Sequence, residues 1–180
     1  GLERLQSGSA IKFIERSFVS NSILPNRDLG ISVHGDLFDN RLFYAAGIYN
    51  GTIDGGDNVT SQDGNSDKEV ALRFFATPFK GQDSFFEGLG FGIAGTYAEN
   101  GVGSGQANTN TGLPTDIKTA GQQAKLFTYA TSTQVYQTGT KYRYSPQAYF
   151  YNGPFGLLAE YAASNFDIRS GNNPSINVEN

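Results

Sequence analysis

Cysteine, methionine and tryptophan are all missing from this 180-residue chain, and histidine occurs once, as His34. Without cysteine there is no disulfide framework, no thiol chemistry and no thiolate metal site. A histidine-based hydrolytic triad would rest on His34 alone, and no paired-carboxylate or metal-ligand spacing points to catalysis, so neither an enzyme nor a cofactor is expected. Charge is scarce: 17 acidic against 13 basic side chains give a net charge of -4, which leaves no basic footprint for a nucleic-acid partner. Nor does any apolar run approach the roughly 20 residues that a membrane helix requires. That excludes a helical span only, because a transmembrane strand needs about 9 to 11 residues of alternating pattern and alternation averages to low hydropathy. The sequence opens on Gly1 without methionine or a signal-like run, so a processed chain or a piece of one is expected. The expectation is one β-barrel domain over residues 1–180, truncated at both ends.

What is present favours strands. The chain holds 23 glycines, 10 tyrosines and 14 phenylalanines, a composition suited to pleated surfaces and close backbone approaches. From Leu29 to Asn50 the pattern has a period of two. Leu29, Ile31, Val33 and Leu37 alternate with Gly30, Ser32, His34 and Asp36; Asp39-Asn40-Arg41 reverses the chain; Leu42, Tyr44, Ala46 and Ile48 resume the apolar row. This reads as a hairpin. Its second face is small and polar, with no apolar row from which to build a packed interior. A soluble sandwich or barrel buries its oily face; a sheet that is oily outside and wet inside is a membrane barrel.

The pattern recurs. Lys68 to Phe79 sets Val70, Leu72, Phe74 and Ala76 against Glu69, Ala71, Arg73, Phe75 and Thr77, and Phe85 to Tyr97 sets Phe85, Leu89, Phe91, Ile93 and Tyr97 against Gly88, Gly90, Gly92, Ala94 and Thr96. From Thr140, Tyr142, Tyr144, Ala148 and Phe150 alternate with Lys141, Arg143, Ser145, Gln147 and Tyr149, with Pro146 predicting a bulge or distortion. After the turn Asn152-Gly153-Pro154, Phe155, Leu157, Ala159, Tyr161 and Ala163 form a last row. Ala10 to Val19 is a short strand or folded-in loop, and Lys125 to Tyr136 a weaker strand. The fold class is therefore all-β, an antiparallel transmembrane β-barrel with about seven or eight strands in this chain.

Short turns near residues 40, 82 and 153 alternate with Gly/Asn/Asp-rich loops, Gly51 to Asp67 and Glu99 to Gln123. Loops so long are uncommon inside a compact soluble domain but usual on the outer side of an outer-membrane barrel. Ten residues at about 3.3 Å each, tilted about 40°, cover roughly 25 Å, the height of such a barrel's apolar band. Phe38, Phe43, Phe79, Phe85, Phe86 and Phe155 cluster beside the short turns, where an interfacial girdle belongs.

Four runs carry a resemblance: GLERLQS at 1–7, FIERSF at 13–18, LPNRDLGISVHG at 24–35 and NGPFGLLAEY at 152–161. In sequence and order they resemble the phosphate-selective porin family of Gram-negative outer membranes. The resemblance implies a 16-stranded barrel in the outer-membrane bilayer, a homotrimer, and a narrowed pore whose Arg and Lys attract phosphate or other small anions. It also implies that further strands precede the GLERL-like run.

Arg73, Lys141 and Arg143 fall on the inward face, where Lys141 and Arg143, two residues apart, make adjacent rungs for a passing anion. The other reading is wall charge balanced by Glu69 and Glu160. Arg16 and Arg27, inside the family-like runs, either line the constriction or brace it through Glu15 and Asp28. Other motifs dissolve. Gly90 to Gly95 fits a dinucleotide fingerprint but continues a strand instead of opening a helix. Asp63 to Asp67 imitates a calcium loop but has Lys68 and Phe74 where Gly and Glu are needed; it leaves only weak cation binding among Asp54, Asp57, Asp63 and Asp67. Asn58-Val59-Thr60 is a sequon without a glycosylating host, and His34 is a wall residue. Competing with the passive anion channel are a small closed barrel of about eight strands serving adhesion or surface interaction without transport, and a soluble ligand-binding β-domain.

Overall fold

The computed structural model describes residues 1–7, 16–55, 67–99, 117–118, 125–127, 135–171 and 173–180. Two helical turns, α1 (Leu2–Leu5) and α2 (Phe18–Ser22), precede ten strands: β1 (Gly30–Leu37), β2 (Leu42–Tyr49), β3 (Glu69–Ala76), β4 (Leu89–Ala98), β5 (Ile117–Lys118), β6 (Lys125–Phe127), β7 (Val135–Asn152), β8 (Phe155–Glu160), β9 (Ala163–Ser170) and β10 (Ile176–Glu179). Eight of them form one antiparallel sheet in the order β1-β2-β3-β4-β7-β9-β10, with β8 also on β7, while β5 and β6 pair separately. No described helix is long and apolar enough to cross a membrane.

The registers set like against like. Ile31 lies opposite Ile48, Ala46 opposite Leu72, Phe74 opposite Ile93 and Tyr97 opposite Tyr142. All of these belong to one face, and that face is bare. Val33 is 66% exposed and Leu72 48%, whereas Lys141 is 2% and Arg143 4% exposed. A soluble protein does not expose a continuous apolar surface of this breadth. The alternation of side chains thus gives a sheet whose oily face looks outward and whose ionic face looks inward.

The connections carry the local chemistry. Phe38, Asp39 and Asn40 all have positive φ (55°, 57° and 62°), closed by the Arg41 N–H donating to the Leu37 carbonyl at 3.1 Å. Asp and Asn tolerate that left-handed conformation; Phe does so at some cost. At the two-residue turn of β7 and β8, Gly153 has φ 56° and Pro154 follows, the sign pattern of a II′ hairpin.

Several boundaries differ from the sequence reading. Phe85 and Phe86 lie before β4, in a turn, because they are taken up by an aromatic cluster with Phe79 and Phe150 at 5.3–6.4 Å. Phe18 opens α2 instead of ending a strand; the rest of that candidate lies outside the described residues. The strand β7 starts at Val135, before Thr140, and its alternation is masked by a bulge between Thr138 and Lys141, where Gly139 has φ 67°. Of the weaker candidate before it, Lys125–Phe127 forms β6, and residues 128–134 lie outside the described part. Pro146 leaves the ladder with β4 in register, opposite Ile93. The distortion falls on the facing strand: β8 and β9 are broken at Tyr161-Ala162, the two residues opposite Pro146 and Ser145, where Pro supplies no N–H. The loop from Gly51 begins buried: Gly51 to Asp54 lie against the inner face, and residues 56–66 are outside the described part.

Candidate functional site

The inward row of β7 is Lys141, Arg143, Ser145 and Gln147, all buried, alternating with exposed Tyr142, Tyr144 and Pro146. Two residues along a strand bring side chains to the same face, so Lys141 and Arg143 stand one above the other, as their spacing predicts. Both, however, are engaged by the protein itself. Lys141 Nζ donates to the Thr52 carbonyl at 2.8 Å and lies 3.3 Å from Asp54 Oδ1. Arg143 Nε donates to Asp54 Oδ1 at 2.7 Å, Nη1 to Glu69 Oε1 at 2.8 Å, and Nη2 to the Thr52 carbonyl. Two cations and two carboxylates balance in a buried cluster that clamps Gly51 to Asp54 onto the wall. Glu69 was legible as a lumen charge. Asp54 was not, since it meets Arg143 across 89 residues of sequence; no local pattern signals it.

Arg73, on β3, is different. It is half-buried, its Nη2 donates to Gln147 Oε1 at 3.3 Å, and its buried Nε has no hydrogen-bond partner. The guanidinium lies 5.7 Å from the Phe43 ring centroid and 5.4 Å from that of Phe75, distances that favour a cation over a ring face.

The segment before β1 folds over this wall. Glu160 accepts from the N–H groups of Leu2 at 2.8 Å and Glu3 at 3.1 Å, capping α1, and from Ser145 Oγ at 2.9 Å. Glu3 in turn accepts from Ser17 N at 2.9 Å and Ser20 Oγ at 2.6 Å, and Ser17 Oγ caps α2 by accepting from Ser20 N at 3.3 Å. Arg16 Nη2 donates to the Gln6 carbonyl at 3.0 Å, while Glu15, its expected partner, lies outside the described residues; Arg27 is exposed. Asp28 accepts from Leu29 N at 2.7 Å and from Gly51 N at 2.8 Å, tying the two inward segments together. Between segment and wall lies a cavity of about 300 Å³, lined by Leu5, Leu24, His34, Phe43, Arg73 and Ser145 among others.

The structure therefore gathers Arg73, Lys141 and Arg143 on one inner face and places Arg16 in the overlying segment. Among the described residues no three His, Asp or Glu are set to hold a metal; Asp54 is engaged with cations, and Asp57 and Asp63 lie outside the described residues. An arrangement of this kind, fixed charges on a polar inner wall narrowed by an inward-folded segment, can sort small ions by charge and size.

No curated protein and no solved structure matches the chain. A family model described as "Phosphate-selective porin O and P" matches residues 1–179. Oily outer face, ionic inner face and this match over essentially the whole length agree: the chain belongs to the phosphate-selective porin family.

Proposed function

We propose that these strands form part of a water-filled diffusion channel for small anions such as phosphate, in the outer membrane of a Gram-negative bacterium. The observation that carries this reading is the inversion of the sheet, with Val33, Leu72 and Phe91 bare on one face and Glu69, Lys141 and Arg143 enclosed on the other. Arg73 is the anion contact with donor capacity to spare. Lys141 and Arg143 hold the Gly51–Asp54 segment and set the bore, while Arg16 stiffens the segment above; Arg27 meets solutes at the mouth. No covalent step is involved. Solute runs down its own gradient, and the channel is not an enzyme.

Among the described residues, β1 and β10 end the path of the sheet and pair with one neighbour each. An unpaired eight-residue edge in hydrocarbon would cost on the order of 20 kcal/mol in unsatisfied backbone groups. Further strands therefore complete the wall, in keeping with a 16-stranded porin of which residues 1–180 are one stretch, assembled as a homotrimer. A small closed adhesion barrel would pair β1 with β10, and the open edges argue against it.

Planar-bilayer recording tests the proposal. The intact porin is expected to give stepwise ohmic conductance, anion-selective by reversal potential, with phosphate reducing the chloride current. Selectivity for cations, or a current indifferent to phosphate in both the native protein and Arg73→Gln, would defeat it.

A further inference from the structure

Six side chains, His34, Phe43, Arg73, Phe75, Tyr149 and Tyr151, form an unbroken row along the inner face of β1, β2, β3 and β7. Centroids of His34 and Phe43 are 6.2 Å apart, the Arg73 guanidinium sits 5.7 Å from Phe43 and 5.4 Å from Phe75, and Phe75 to Tyr149 and Tyr149 to Tyr151 are each 5.4 Å. Phe43 faces Phe75 across the β2–β3 ladder. The strand β4 lies between β3 and β7 and would interrupt the row, but it presents only glycine there. A Cβ at Gly90 would come within 2.6 Å of Tyr149 and 2.8 Å of Phe75, and one at Gly92 within 2.7 Å of Phe75. Glycine at both positions opens the gap across which Phe75 and Tyr149 stack at 21°.

Rings that stack on their neighbours along a wall turn their edges away from it; Phe75 is itself buried at 8% exposure, so the edges on offer are those of Phe43, Tyr149 and Tyr151. Those edges carry the positive part of the ring quadrupole, and the guanidinium in mid-row adds a full charge with an unpartnered Nε. A bare anion would use Arg73 alone. An anion bearing a flat conjugated ring gains twice, its carboxylate on Arg73 and its ring face against the row of edges, the T-shaped contact that aromatic pairs favour. Resting on the anion-channel reading above, we infer that this row is a retention site for small ring-bearing anions, with aryl carboxylates as the simplest class.

The test uses the intact porin in planar bilayers carrying chloride current, titrated with benzoate, cyclohexanecarboxylate and acetate, which share a charge and differ in the ring. Benzoate is expected to half-block at a concentration roughly tenfold below the other two. In Phe43→Leu and, separately, Tyr149→Leu the benzoate advantage should fall toward unity, while Tyr149→Phe keeps it. The ratio is taken within each variant, so a changed open current does not enter, and either Leu variant alone suffices if the other does not assemble. Equal blocking by the three acids in the native protein, or an unchanged ratio in the Leu variants, overturns the inference while leaving the porin reading intact. A protein that passes no current sinks both.

Discussion

Asp54 shows how much one carboxylate can hold. Burial by itself would raise its pKa, but Lys141 and then Arg143 outweigh that penalty, and the net direction is downward. A carboxyl whose folded pKa lies below its unfolded value of about 3.9 contributes stability that is present above that value and lost as pH falls through the folded one. Proteolysis within residues 50–55 should therefore be slow at neutral pH and rise only in acid, and Asp54→Asn should make it fast at pH 7 as well. Glu3 shifts the same way: burial opposes, and the Ser17 and Ser20 hydrogen bonds prevail. Removing Asp54 or Glu69 leaves a buried cation uncompensated, so Asp54→Asn or Glu69→Gln should cost about 3–5 kcal/mol, read as a lowered urea midpoint in detergent micelles. The inward direction of Glu69, Lys141 and Arg143 was legible from alternation alone. Their mutual pairing with Asp54 was not, because it depends on a loop residue arriving from far along the chain.

Among the elements, the first hairpin is the most local in its causes. Its turn needs left-handed backbone at Asn40 (φ 62°), so a β-branched replacement, Asn40→Val, should destabilise by about 1–2 kcal/mol, measured by the same unfolding midpoint. The faces of the strands predict an asymmetry. Leu72→Arg, in the middle of β3, puts charge on the lipid side and should cost about 2–4 kcal/mol, whereas Ser32→Arg, on the inner face of β1, should cost less than half as much. Element existence was readable because period-two alternation is a property of the strand itself. Where reading failed, something interrupted that period: the bulge at Gly139 shifted its phase ahead of Lys141, and the Phe85-Phe86 pair looked like strand continuation although aromatic packing against Phe150 holds it in a turn.

For the molecule as a whole, the decisive quantity is the exposed apolar face. With Ile31, Val33, Leu72, Phe74, Phe91 and Ile93 all outward, folding in water alone has no favourable place for that surface. The protein is expected to partition into detergent and to regain a heat-modifiable folded band on gels only when refolded into micelles or bilayers; a monodisperse folded species in plain buffer would contradict the membrane assignment. Edge pairing belongs to this scale too. Crosslinking between cysteines introduced on β1 or β10 and neighbouring strands should find partners in the assembled porin, since an edge left bare in lipid is too costly to persist.

The sequence by itself determined which side of β1 to β4, of β7 from Lys141 on and of β8 is oily, and where the tight turns near residues 40 and 153 fall, because successive side chains point to opposite faces by backbone geometry and Gly, Asn, Asp and Pro bend the chain locally. Only the tertiary structure decided what the inner face does with its charges: that Glu160 caps α1 from 158 residues away, that Thr52 and Asp54 engage Lys141 and Arg143, and that Gly90 and Gly92 let a ring on β3 stack on one from β7. Those contacts depend on register and on segments folding back over the sheet, and neither leaves a trace in the periodicity of any single stretch.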